Sequence, residues 1–222
     1  MSPPNVHKSV LISDFDGTIT ARDYYYLVLE QLFTPETPDY WAEYEAGQVT
    51  HFEALRNIFK AVPAGEAKLL ELTQHTGIDP DLSAEIQALQ AAGWDVNIVS
   101  AGCGWYIHQL LRQHGVDVPV HASPGSIVEG RLVMELPTDS PYFSPETGID
   151  KAAAVQAALD EGKRVAYAGD GPVDLQPALL VPPHLRFACG ALAQILRQRG
   201  EGFRSFDRWS DISRALRAES PA

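Results

Sequence analysis

Asp14 and Asp16 stand one residue apart at the end of the apolar run Val10 to Ser13, and Gly17-Thr18 follows them. Alternate residues of a strand point to the same side, so this spacing crowds two negative charges. Crowding of that kind raises a carboxyl pKa or calls for a cation, a metal ion above all. The plainer alternative is a strand that runs out into a solvated acidic turn, because short motifs also arise by chance.

Three further segments bear on that choice. Over Asp95 to Gly104 a hydroxyl, Ser100, ends a β run, and glycines lead toward a helix. Backbone N–H groups around Ala101 and Gly102 could face an anion there, or Ser100 could simply cap the helix. In Gly148 to Lys151 a lysine falls in the first turn of a helix, where the macrodipole disfavours a cation. A neighbouring carboxylate and phosphate would account for it, and a solvated lysine behind an Asp150 N-cap is the alternative. Over Arg164 to Asp174 an apolar strand again ends in carboxylates, Asp170 and Asp174, with Gly169 and Gly171 to bend the chain and Pro172 to start a helix. All four segments would fall at the carboxyl edge of a parallel sheet, where such folds bind ligands.

The elements that would position them alternate from Asp81 onward. Predicted strands are Val10 to Ser13, Asp95 to Val99, Val118 to His121, Arg164 to Ala168 and Leu185 to Ala188. Predicted helices are Asp81 to Ala92, Trp105 to His114, Lys151 to Leu159, Val173 to Leu180 and Ala191 to Arg199. This is the pattern of an α/β fold with a doubly wound parallel sheet. Ser126 to Glu135 alternates around Glu129-Gly130 and reads as a small β-hairpin flap. Arg22 to about Ile78 carries helix signals alone. Thr37-Pro38 can open one helix, Thr50 to Glu53 has the form of a capping box, and Gly47 and Gly77 can stop helices. The expected organisation is a core of residues 1–21 and 79–222 with an inserted helical cap, 22–78. The cap's aromatics, Trp41, Tyr44, Phe52 and Phe59 among them, read chiefly as packing surface, and the tail from Arg217 to Ala222 as frayed.

With a formal charge of −12 over 222 residues the chain offers no clustered cations for a phosphate backbone, which argues against a nucleic-acid partner. Two cysteines are too few for a disulfide framework and fit a reducing cytoplasm; the histidines lack ligand spacing. Met1 to Lys8 has no apolar leader character and no stretch is long enough to span a bilayer, so neither export nor membrane anchoring is expected. Gly102-Cys103-Gly104 resembles the start of a dinucleotide loop, but Ile107 holds the third glycine position. Cys103 does not open a cysteine-phosphatase loop either, since Gln109 stands where that loop needs arginine; a small buried thiol is its expected role.

Taken together, Asp14 to Thr18, the strand-ending Ser100, Lys151 and the Gly169-Asp170 to Asp174 segment resemble the haloacid dehalogenase-like superfamily of phosphatases. The helical insert and the hairpin before the lysine look like its phosphoserine-phosphatase-like branch. The resemblance implies that Asp14 is a nucleophile that becomes an aspartyl phosphate, while Asp16 protonates the leaving oxygen and later activates water. By the same likeness Thr18, Ser100, Ala101, Gly102 and Lys151 bind phosphate. Mg²⁺ would be held by the carboxylates of Asp14 and Asp170 and the main-chain carbonyl of Asp16, with Asp174 supporting that shell. Attack by an anionic carboxylate on a phosphate requires their repulsion to be neutralised, which Mg²⁺ and Lys151 can do. Oxygen-only ligands suit Mg²⁺ better than zinc, and the second acid, which dehalogenases lack, favours ester hydrolysis.

For the substrate, Asp23 falls where phosphoserine phosphatases place an acidic residue, and Tyr25 and Arg56 are candidate substrate contacts from the cap. The chain departs from those enzymes at Gly17 and Val173. Asp14 to Thr20 with Asp23 looks closer to methionine-salvage phosphatases, which act on 2-hydroxy-3-keto-5-methylthiopentenyl-1-phosphate. A phospho-accepting signalling module is the competing class, though it would need neither insert nor hairpin. The expected partner is a small phosphorylated metabolite, and the expected assembly a monomer or homodimer.

Overall fold

A computed structural model describes residues 8–219. In chain order the elements are β1 (Ser9–Ser13), α1 (Tyr24–Leu32), α2 (Tyr40–Glu45), α3 (His51–Ala61), α4 (Glu66–Thr73), α5 (Leu82–Ala91), β2 (Trp94–Cys103), α6 (Gly104–Gln113), β3 (Val120–Ser123), β4 (Gly125–Val128) and β5 (Arg131–Met134). Then follow β6 (Phe143–Ser144), β7 (Gly148–Ile149), α7 (Lys151–Asp160), β8 (Arg164–Gly169), α8 (Leu175–Leu180), β9 (Arg186–Ala188), α9 (Gly190–Gln198), β10 (Arg204–Ser205) and α10 (Trp209–Glu219).

Six strands form one parallel sheet in the order β10-β9-β8-β1-β2-β3. Because β1 lies inside the sheet, its side chains must be apolar on both faces, and strand alternation divides them. Leu11 joins a core with α5, α6 and α10, whereas Val10 and Ile12 join a second core with α7, α8 and α9. The doubly wound layout predicted from the alternating pattern is therefore the observed one.

Between β1 and α5 the described chain forms four helices, entered and left beside the bridge pairing Thr20 with Ile78. Thr50 caps α3 by accepting from Glu53 N, and the Glu53 carboxylate accepts in turn from Thr50 N. The hairpin β4–β5 turns through Glu129 and Gly130, both at positive φ as a tight two-residue turn demands. It is packed down on the helices: Arg131 donates to the carbonyls of Lys60 and Ala61, each at 2.7 Å, and Gly65 N donates to Gly130 O at 2.8 Å.

Several boundaries differ from the sequence expectation. Asp39, not Thr37, caps the second helix, its side chain accepting from Ala42 N, so Thr37-Pro38 lies two residues too early. β2 runs on through Ser100, Ala101 and Gly102 to Cys103, all buried, with Cys103 pairing Ser123 of β3 beyond a register shift. Pro172–Asp174 is a 3₁₀ turn, and α8 starts at Leu175 rather than Val173. The elements β10 and α10 were not predicted. Arg217 to Glu219, expected to fray, belongs to α10; residues 220–222 and 1–7 lie outside the described residues. Among the described residues no helix is long and apolar enough to cross a membrane.

Candidate active site

The ends of β1, β2 and β8 and the start of α7 converge on one cluster. Asp14 follows directly on β1, where its N–H donates to Ala168 O of β8 at 2.9 Å and its Oδ1 accepts from Phe15 N at 2.7 Å. Lys151 reaches across from the first turn of α7. Its Nζ lies 2.6 Å from Asp14 Oδ2 and 2.6 Å from Asp174 Oδ1, with Lys151 only 4% exposed. This pairing explains a cation at a helix N-terminus: the bridged carboxylates outweigh the helix dipole. Burial alone would push the ammonium down, but the charges of Asp14 and Asp174 overcome it and hold Lys151 protonated.

Asp174 is anchored on every side. Oδ1 accepts from Lys151 and from the Tyr167 hydroxyl at 2.5 Å, and Oδ2 accepts from the N–H groups of Asp170 (3.1 Å) and Gly171 (2.8 Å). Burial pushes this carboxyl up, but Lys151 and these donors prevail, leaving it below the usual range and ionised. Asp14 and Asp170 behave oppositely. Burial, then the charge of Asp174, raises Asp14 well above its ordinary value and Asp170 to about 8. Two carboxyls pushed up beside an ionised third are short of positive charge.

That deficit is the test of a metal site. Asp14, Asp170 and Asp174 each offer an oxygen, and these oxygens lie within 4.8 Å of one another. Gly17, at φ +68°, leaves Asp170 its room: a Cβ there would come 2.3 Å from Asp170 Oδ2. An all-oxygen donor set fits a hard divalent cation such as Mg²⁺. Since both oxygens of Asp174 are already engaged, it supports the group more than it offers a free ligand, while Asp170 carries the open carboxylate.

Asp16 sits apart from this triad. Its Oδ1 accepts from Tyr24 N at 3.0 Å and its Oδ2 from the Tyr106 hydroxyl at 2.5 Å, and burial raises its pKa. Gly102 is needed here, since a Cβ would fall 2.2 Å from that hydroxyl and 2.9 Å from Asp16 Oδ2. Ser100 is buried and its hydroxyl oxygen accepts from Gly102 N at 3.0 Å.

A chamber of about 140 Å³ brings Asp14, Asp16, Asp23, Tyr25, Ser100, Ala101, Gly102, Lys151, Asp170 and Asp174 to one space. Two candidates are not brought there. Thr18 lines a neighbouring cleft of about 770 Å³, and its buried hydroxyl has no partner. Arg56 lies over the Phe52 ring at 5.6 Å and borders a groove against Val133 and Leu136. Arg56, expected as a substrate contact, thus lies beside the hairpin and does not line the chamber. The larger cleft shares Asp23 and Asp170 with the chamber but not Asp14 or Lys151. The smaller space thus holds the reactive groups.

Sequence reading missed the opposite wall, made by Trp41, Tyr44, His51, Leu55 and Phe59 with Tyr106 from α6. From the sequence Trp41, Tyr44 and Phe59 read as packing surface, and His51 and Tyr106 only as parts of predicted helices. A signal existed: His51, Leu55 and Phe59 recur every fourth residue behind the Thr50 cap and so share one face of α3. Asp23, held between the two cavities, is pushed up to about 7 by burial and by Asp16 and Asp14.

The model of the haloacid dehalogenase-like hydrolases matches residues 11–178. No curated protein matches the chain. Among solved structures it is similar to a substrate-bound phosphoserine phosphatase (15% identity, 93% of this chain and 97% of that one, TM-score 0.64). It is similar also to a probable phosphoserine phosphatase from Vibrio cholerae (18%, 99% and 70%, TM-score 0.67) and to cytosolic 5′-nucleotidase IIIB bound to cytidine (17%, 95% and 84%, TM-score 0.60). At these identities the likeness is one of fold. The family model covers most of the chain, including the segments that carry Asp14, Ser100, Lys151 and Asp170, and the chain belongs to the haloacid dehalogenase-like hydrolases.

Proposed function

We propose that this hydrolase is a Mg²⁺-dependent phosphatase that cleaves a small phosphate monoester through a covalent intermediate on Asp14. The observation that carries the reading is the bridge from Asp14 through Lys151 to Asp174, with a second acid, Asp16, beside the nucleophile but outside the bridge. An Asp14 oxygen attacks phosphorus and the bond to the ester oxygen breaks. Asp16, its pKa raised by burial, delivers a proton to the departing alkoxide. Water then attacks the aspartyl phosphate, Asp16 takes the water proton, and inorganic phosphate leaves with Asp14 restored. Lys151 and Ser100 bear on the phosphoryl oxygens, whose charge must be balanced in a dry site. Asp14 and Asp170 would hold Mg²⁺, with the Asp16 carbonyl as a further ligand and Asp174 in support; the ion supplies neutralisation of phosphate charge when bound.

In this reading residues 22–78 act as a cap over the core of 1–21 and 79–222, and the aromatic wall they supply shields the ester from bulk water. The free thiols of Cys103 and Cys189 suit a reducing cytoplasm. The test is release of inorganic phosphate by the purified chain from an ester panel that begins with p-nitrophenyl phosphate, phosphoserine and the keto-methylthiopentenyl phosphate. Asp14→Asn and EDTA should each abolish release, with Mg²⁺ restoring the second. Turnover retained by Asp14→Asn would remove the mechanism.

A further inference from the structure

The two ends of the chamber differ in kind, and this bears on what the ester carries besides phosphate, given the phosphatase reading above. The sheet end holds five aspartates and Lys151. The helical end is a wall of rings. Trp41 stacks on Tyr25 at 4.6 Å, and His51 meets Trp41 edge-on at 5.6 Å and Tyr44 at 5.4 Å. His51 adds no charge, because burial and the nearby Lys151 lower its pKa to about 4, and its buried Nδ1 has no hydrogen-bond partner.

Among the described residues lining the chamber, Lys151 is the single cation, and Asp14 and Asp174 already bind it. Arg56 is turned toward the hairpin, and Arg22 pairs with Glu30 outside the chamber. A carboxylate on the leaving group would thus lose its water beside aspartates with nothing to pair it. An ammonium wants open ring faces converging on it, whereas Tyr25 is stacked against both Trp41 and Tyr26, and rings so engaged still give an uncharged apolar group packing contact. Apolar or planar groups suffer neither loss and gain contact with the rings.

We infer that the alcohol released from the ester is uncharged and apolar or aromatic, and that the Tyr25–Trp41 stack on the helical side of the chamber is what selects it.

The full chain with Mg²⁺ would be assayed by phosphate release on benzyl, butyl and methyl phosphate, O-phosphoserine and phosphocholine, all of which leave as aliphatic alkoxides. Benzyl or butyl phosphate should exceed both charged esters in kcat/KM by at least about 10-fold. If O-phosphoserine or phosphocholine equals or surpasses them, the inference is overturned while the phosphatase reading stands. If no ester at all is cleaved, the phosphatase reading itself falls. Trp41→Ala should lower the benzyl-to-methyl ratio about 10-fold, mainly through KM, and Trp41→Phe should restore it. Trp41→Leu, which keeps apolar bulk without the ring, tests the same point if the alanine variant does not fold: it should lower the benzyl-to-butyl ratio. An unchanged ratio in a folded Trp41→Ala or Trp41→Leu would overturn the assignment.

Discussion

The hydroxyl of Tyr106 donates to Oδ2 of Asp16 across 2.5 Å, although the two are 90 residues apart in the chain. With Tyr24 N on Oδ1, this bond fixes where the second acid points.

Tyr106→Phe should therefore lower kcat about 10-fold on an alkyl phosphate, a part of the roughly 10²–10⁴-fold that a placed acid supplies. The loss should be smaller on p-nitrophenyl phosphate, whose leaving group needs little protonation. Equal losses on both esters in steady-state kinetics would show that Tyr106 does not act through Asp16.

Lys151→Met removes the only cation between two buried carboxylates. Leaving such charges unpaired is worth about 3–5 kcal/mol of lost stability. A lowered midpoint in urea unfolding, together with lost turnover, is the expected result, and an unchanged midpoint would contradict the bridge.

Stability of the metal-free protein should fall as pH rises from about 6.5 to 8. The folded state keeps protons on Asp23 (about 7) and Asp170 (about 8) that the unfolded chain, with carboxyls near 3.8, has already lost. Stability falls wherever the folded state binds more protons. His51 acts with the opposite sign, but only between about 4 and 6.5, so it does not disturb this window. Melting temperatures in EDTA should drop by a few degrees between pH 6.5 and 8, and Mg²⁺ should flatten the slope.

Gly17→Ala places a Cβ 2.3 Å from Asp170 Oδ2 at a backbone φ of +68°. The strain is worth about 1–2 kcal/mol, and displacement of Asp170 should raise half-saturating Mg²⁺ about 10-fold or more. Metal titration followed by activity and by thermal shift reads both effects.

Much of this arrangement is legible in the sequence because its signals are local. Asp14, Ser100 and Asp170 each end an apolar run, and Lys151 starts a helix, so the sheet that forms from those runs brings them to one edge. Residues whose direction depends on tertiary packing are not legible in that way. Thr18 and Arg56 have suitable chemistry, yet one faces the neighbouring cleft and the other the hairpin. For Trp41, Tyr44 and His51 the difficulty is that a ring lining a chamber and a ring filling a core have the same sequence signature. α10 was readable, since Trp209, Ile212 and Leu216 repeat at helical spacing, but its polar remainder hides the stripe.

The hairpin's grip on the α3 end has a mechanical corollary. Arg131 clasps the carbonyls of Lys60 and Ala61, and Gly130 receives Gly65 N, so the roof is moored at a second place besides its neck at Thr20 and Ile78. Any outward swing of the four helices would have to unfasten those three bonds or carry β4 and β5 along, so residues 125–134 are tied to the helices as well as to the chain that leads back to the sheet.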